Sequence, residues 1–297
     1  MYNELIWEVG EMTKNIDNSL QNQVIKMSNT LAEKSTHFSV VQQKLFYISL
    51  AALKNGTNSD NEVIIDKKDL FDYLGLAQDT SRWTTLRYQL KKLRYNSEIE
   101  FSDGDHFDDG QLITGARSCK DGVHIRFDPY YLPLIQELAN NYVRLLDDDV
   151  VSFCSKYSMM LYQNLLKDKW KLTNVDYLGI DYSTRQLKMM FGLSKDDYVK
   201  KDWHFNRTTF ENRTIDIAVK DINEKSKCIQ NLRYEKVKKG NRVQYYLFTF
   251  NYTDPQKVVE DARNERRWEQ LSLLDDIPIV EKPVRVSDEV KDLNWWE

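Results

Sequence analysis

The sequence predicts an α+β, helix-rich chain of two tandem domains joined by a long helix and followed by an acidic C-terminal tail. Three observations carry that prediction. One order of elements (helix, strand, short helix, longer helix, hairpin) occurs twice, at a spacing of roughly 110 to 120 residues. A long apolar run separates the two copies. The charge is uneven: of 42 basic and 46 acidic residues, giving −4 overall, residues 150–253 carry a net +8 and residues 20–137 a net −2. The remaining acid sits in residues 1–19 (−3), 138–149 (−2) and 254–297 (−5).

The first copy opens with FSVVQQKLFYISLAALK (38–54), which follows Ser35 and Thr36 and repeats apolar residues at 41, 45, 48, 49 and 52 in a helical rhythm. EVIID (62–66) alternates and reads as a strand, and KKDLFDYLGL (67–76) as a short helix ended by Gly75. Asp79, Thr80 and Ser81 offer caps for a helix over 82–96 with Trp83, Leu86, Leu90 and Leu93 inward. Strand-like pieces follow at 97–101, 111–116 and 122–127, with an acidic, glycine-bearing loop after the first. This is the order of a winged helix, a helix-turn-helix backed by a small sheet whose hairpin is the wing. Asp128-Pro129 closes the unit, and a helix begins at YYLPLIQEL (130–138).

Asp147, Asp148 and Asp149 are placed to cap a long helix over 150–170, since acids at an N-terminus complement the helix dipole. The first pattern then returns. A strand is expected at 175–180, a short helix at 182–193 capped by Ser183 or Thr184, and a longer helix at 206–226. Residues 228–252 are expected to form a hairpin turning at Lys239-Gly240-Asn241. Four segments follow: an arm over 1–19, a first winged helix over 20–137, a second over 138–253 and a tail over 254–297.

Catalytic signatures are sparse. No phosphate-cradling glycine loop appears, and His37, His106, His124 and His204 are scattered without a metal-binding spacing. Asp103, Asp105, Asp108 and Asp109 surround Gly104, but the spacing does not fit an EF-hand and a solvated loop is the better reading. Neither an enzyme nor a cofactor-dependent protein is expected. Cys119, Cys154 and Cys228 are spaced for neither zinc nor a disulfide framework, which points to a reducing cytoplasm. No segment is long and apolar enough to span a bilayer.

The basic residues have a pattern of their own. The helix at 82–96 carries Arg82, Arg87, Lys91, Lys92 and Arg94 and no acid, with Thr84 and Thr85 near its start. The helix at 206–226 opens on Asn206, Arg207, Thr208, Thr209, Asn212 and Arg213 and continues to Lys220. The N-terminal end of such a helix reaches base edges, where arginine suits guanine and asparagine suits adenine. On the second helix Phe210, Ile217, Ala218 and Ile222 are expected to face the core, leaving Arg213, Asp216 and Lys220 outward. Lys236, Lys238, Lys239 and Arg242 crowd the hairpin tip, where they suit phosphate rather than bases. Simple solvation accounts for one basic helix face. Two, each preceded by a short helix and followed by a hairpin, favour double-stranded DNA.

The chain also resembles a family, the iteron-binding, theta-type plasmid replication initiators. The likeness rests on NQVIKMSNTLAEKSTHFSVVQQKLFYISLAAL (22–53), IRFDPYYLPLIQEL (125–138), SKYSMMLYQNLLKDK (155–169) and TIDIAVKDINEKSKCIQNLRYEKVKKGNRVQYYLFTF (214–250). The resemblance implies two tandem winged helices, the first also dimerising. It implies monomers that bind direct repeats at the origin, help open it and recruit host replication proteins. It further implies dimers, in equilibrium with monomers, that bind an operator inverted repeat and repress the initiator's own gene. The second domain would make the stronger base-specific contacts, and neither nuclease nor ATPase activity is implied. Within the tail, Gln270, Leu271, Ser272, Leu273 and Leu274 look like the pentapeptide that docks on the polymerase sliding clamp, with Leu274 where Phe is typical. An amphipathic helix packed on the body is the competing explanation of that stretch. A tandem winged-helix regulator without initiator activity, or a protein-interaction scaffold, are the other functions compatible with the residues.

Overall fold

The computed structural model describes residues 24–28, 38–53, 58–74, 81–103, 106–120, 122–133, 142–174, 178–201 and 203–275. The arm over 1–19, the expected caps Asp79 and Thr80, and most of the expected helix at 130–138 lie outside them, as does the 137/138 boundary. Residues 1–259 form one compact unit and 260–297 a second.

In the first half, Ser39 caps α1 (Val40–Ala52) through a reciprocal box with Gln42. Gln42 also donates to Gln89 at 2.8 Å and accepts from Asn96 at 2.9 Å, so the cap of one helix holds another. After β2 (Glu62–Ile65) and α2 (Lys67–Leu74) comes that second helix, α3 (Ser81–Asn96). Its Leu86, Leu90 and Leu93 are buried, and Trp83 meets Phe71 edge-on at 4.7 Å. β5 (Ile113–Ser118) and β6 (Val123–Phe127) complete a sheet in the order β2-β6-β5.

The acidic segment after α3 departs from the expected loop. β3 (Glu98–Asp103) and β4 (His106–Gln111) pair as a hairpin of their own, with Phe101 opposite Asp108 and Glu100 opposite Asp109. Backbone pairing outweighs the turn-like composition there. Gly110 is needed because a Cβ at that position would run into the ring of the buried Tyr131.

Between the halves, β1 (Val24–Ser28) pairs antiparallel with β7 (Tyr142–Leu146). The single helix expected at 150–170 is instead α4 (Asp147–Ser152), α5 (Lys156–Lys167) and a 3-10 turn at Lys169–Thr173. The cause is distant in sequence. The Asp221 carboxylate accepts from the backbone N–H groups of Cys154 and Ser155 at 2.9 and 3.2 Å, removing them from a continuous helical ladder. Ser155 then caps α5.

The three aspartates do not cap by side chain; they occupy the first turn of α4, where the dipole favours them. Each also has a partner elsewhere. Asp147 accepts from the Tyr73 hydroxyl at 2.6 Å, and Asp148 pairs with Lys227 at 2.9 Å. Asp149, buried, accepts from the Ser226 hydroxyl at 2.6 Å, the N–H groups of Lys227 and Cys228 at 2.8 and 3.2 Å, and the Tyr162 hydroxyl at 3.0 Å. Burial raises its pKa although all four donors pull it down.

The second half contains β8 (Ile180–Tyr182), α6 (Thr184–Met190), α7 (Arg207–Arg213), α8 (Ile215–Lys225), β9 (Ile229–Lys239) and β10 (Arg242–Tyr252). Its sheet runs β8-β10-β9, the strand order of the first half repeated. Each half is therefore a winged helix, with β5–β6 and β9–β10 as wings. β8 pairs with β10 over Ile180 to Tyr182, and residues 175–177 of the strand expected at 175–180 lie outside the described residues.

The helix expected over 206–226 is two helices. Thr214, at φ −127° and ψ −72°, donates its hydroxyl to the Phe210 carbonyl at 2.7 Å and its N–H to the same oxygen at 3.0 Å, which ends α7. The break resets the helical phase. Ile215, Ala218 and Ile222 now face the core, and Ile217, expected inward, is 44% exposed. A final helix, α9 (Pro255–Asp275), follows the second wing. Among the described residues no helix is long and apolar enough to cross a membrane.

Replacing Asp149 with Ala leaves three donors of the 226–228 segment, those of Ser226 and Cys228 buried, without this acceptor. Stability should fall by about 2–4 kcal/mol, read as a lower urea midpoint.

Candidate nucleic-acid interface

In the second half, α6 and α7–α8 form the helix-turn-helix. The Asn206 side chain caps α7 by accepting from the Thr209 N–H at 3.3 Å, so its carbonyl oxygen is committed to the helix rather than offered to a base. Arg207 is half-buried, its Nε enclosed without a hydrogen-bond partner. Thr208, Asn212 and Arg213 are exposed, and Thr209 is half-buried. Asp216 accepts from the Tyr234 hydroxyl at 2.7 Å, tying α8 to the wing, while Lys220 lies 3.8 Å from Glu224. Ile217 stands exposed beside these polar groups. The expected core position concealed it, and its side chain suits a thymine methyl.

The wing turns in two residues, Gly240 and Asn241, with Gly240 at φ 59°, the left-handed first position that a tight hairpin assigns to glycine. Lys238, Lys239 and Arg242 are exposed around that turn. Lys236 is placed differently. Its ammonium is 3.0 Å from Glu211, a buried carboxylate on α7 that also accepts from the Tyr246 hydroxyl at 2.9 Å. Lys236 therefore fastens the root of the wing to the helix, and three cations remain at the tip. Asn223 makes a second fastening, donating to the Leu232 carbonyl at 2.8 Å and accepting from its N–H at 2.7 Å.

In the first half, Arg87, Lys91, Lys92 and Arg94 are exposed along α3, as is Thr84, while Thr85 is half-buried. Arg82 is half-buried, its guanidinium stacked 4.6 Å from the Phe71 ring. Sequence reasoning missed Arg117. It comes from β5 to line, with Arg87, Lys91 and Arg94, an open cleft of about 280 Å³. Glu62 holds it there at 2.8 Å, together with Arg126 at 2.9 Å and His124 at 3.3 Å. Burial alone would raise the Glu62 pKa, but its hydrogen bonds from Arg117, His124, Asn58 and Arg126 prevail and hold it at about 2.

Gln270 to Leu274 lie in the last turns of α9, and their side chains are outside the described residues. Among the described residues no group of three histidines, cysteines or acids is arranged to hold a metal ion.

The model of the family described as initiator replication protein, WH1, matches residues 24–166, and that of initiator Rep protein, WH2, matches residues 183–250. No curated protein sequence matches the chain. Among solved structures, the Pi initiator protein in complex with iteron DNA superposes with a TM-score of 0.60 at 17% identity. That match covers 79% of this chain and 99% of that one, and it shows a shared fold. Domains 2 and 3 of RctB give a TM-score of 0.43 at 8% identity, over 71% of this chain and 80% of that one.

Proposed function

The chain belongs to the initiator Rep protein family, and from that premise we propose that it is a plasmid replication initiator binding direct repeats in double-stranded origin DNA. The observation that carries this reading is the duplicated interface. Two sheets of identical strand order each carry a basic surface, exposed Arg87, Lys91, Lys92 and Arg94 along α3 in the first domain and exposed Arg213 with Lys238, Lys239 and Arg242 of the wing in the second. A duplex presenting successive major grooves is the partner such a pair fits. The proposal extends to opening of the origin, recruitment of host replication proteins, and repression of the initiator's own gene by a homodimer in equilibrium with the monomer. The protein works in the cytoplasm through binding, without nuclease or ATPase chemistry of its own.

Within that reading Arg213, Thr208, Asn212 and Ile217 face bases, while Lys238, Lys239, Arg242 and the α3 cations face phosphate. Arg213→Ala should cost about 1–3 kcal/mol on the cognate repeat and flatten the preference over a scrambled one. The triple change of Lys238, Lys239 and Arg242 to Ala should instead weaken both probes together and lower the salt slope by about 3. Gel-shift titrations at several salt concentrations distinguish the two outcomes.

The initiator role is tested by transformation. A plasmid carrying only this gene and the repeats beside it should replicate in its host; failure, with repeat binding intact, would leave a regulator without initiator activity. The helical Gln270–Leu274 segment is the proposed docking point for the sliding clamp. Replacing Leu271 and Leu273 with Ala should abolish clamp capture while leaving repeat binding unchanged.

A further inference from the structure

The connection between α6 and α7 is far longer than the three or four residues typical of a helix-turn-helix, and it is built rather than loose. Val199 and Phe205 form an antiparallel bridge, and the Lys200 N–H donates to the His204 carbonyl at 2.9 Å. The Trp203 N–H donates to the Lys200 carbonyl at 2.9 Å, and the Asn206 N–H to the Tyr198 carbonyl at 2.7 Å. This is a miniature hairpin closed between Lys200 and His204.

Its base is fastened from both neighbouring helices. Phe205 and Tyr198 pack on Phe210 of α7 at 5.5 and 5.6 Å. Lys188 of α6 donates to the carbonyls of Lys195 and Asp197 at 2.8 and 2.6 Å.

The tip is the opposite of fastened. Trp203 is 83% exposed, and Lys200 and Lys201 are exposed beside it. Trp203 also stands at φ 64°. That is the left-handed region, where glycine is preferred and a Cβ is disfavoured. A large indole at an unfavourable backbone position, with almost none of its surface covered, gives nothing to the fold. Strain held in this manner belongs to sites of contact.

We propose that this hairpin is an additional duplex-DNA contact, in which Trp203 packs on the sugar-phosphate backbone bordering the groove that α7 enters and Lys200 and Lys201 neutralise its phosphates. Asn206 fixes the placement, since it both closes the hairpin and caps α7; whatever meets the first turn of α7 also meets the tip. The indole suits a deoxyribose face, and its N–H has a phosphate oxygen within the same contact. The inference rests on the DNA-binding reading above.

The test is Trp203→Gly, which removes the indole and supplies the residue that the turn prefers. The melting temperature should hold or rise, while affinity for the cognate repeat duplex falls about tenfold and the ratio to a scrambled duplex stays unchanged. Replacing Lys200 and Lys201 with Ala should lower the salt slope by about 2. Wild-type affinity in Trp203→Gly would overturn the proposal and leave the DNA-binding reading standing, as would a loss seen only on a single-stranded probe. Absence of repeat binding by the unaltered protein would overturn both.

Discussion

The arrangement of the two winged helices depends on a buried carboxylate. Asp149 has left water at a cost that only a full set of donors can offset. Three of its four donors come from Ser226, Lys227 and Cys228, the short segment between α8 and β9. A second carboxylate works in the reverse direction, since Asp221 on α8 gathers the amides of Cys154 and Ser155 between α4 and α5. Each side thus offers an acid to the other side's exposed backbone. Two such bonds in opposite directions fix orientation as well as distance, which a hydrophobic contact alone would leave looser.

From that joint the charged surfaces follow. α8 leads directly into β9, so fixing the segment between them fixes the direction in which the second wing leaves the body. Glu211 and Asn223 then hold the wing to α7 and α8. In the first domain Glu62 does comparable work, gathering Arg117 and Arg126 from neighbouring strands into one position. In both domains a buried acid arranges the cations, and the protein's overall negative charge is compatible with two positive faces because part of the acid is spent inside.

Much of this was legible in residue order. The cap at Ser183, the leucines of α3, and the alternation of Tyr246 and Phe248 are local signals, and local signals gave the elements and the winged-helix order, although the cap of α1 is Ser39 and not the Ser35 or Thr36 expected. The two helix breaks were not legible, for a common reason. The break at 153–155 is made by Asp221, far along the chain, and the apolar rhythm runs through it without interruption. The break at Thr214 turns on a hydroxyl bonding to its own preceding turn, an option open to any helical threonine. Missing that break put Ile217 on the wrong face. Lys236 looked equivalent to its neighbours because its partner Glu211 lies on another element, and no local signal marks Trp203, whose exposure is a property of three dimensions.

The outer part of the second wing is a cantilever. β8 pairs with β10 only at Tyr246 to Phe248, so from Val237 and Tyr245 outward the two strands are hydrogen-bonded in the sheet only to each other. That overhang is about four residues, or roughly 13 Å, clamped at its root by Lys236 and bent by the register shift between Val243 and Tyr245. A beam of this kind is stiff in its hydrogen-bonded plane and yields across it. Its tip can follow a groove that is wider at one sequence and narrower at another, spending little elastic energy on either. Compliance at the tip and rigidity at the root divide the labour: the root sets where the wing points, and the tip accommodates what it finds there.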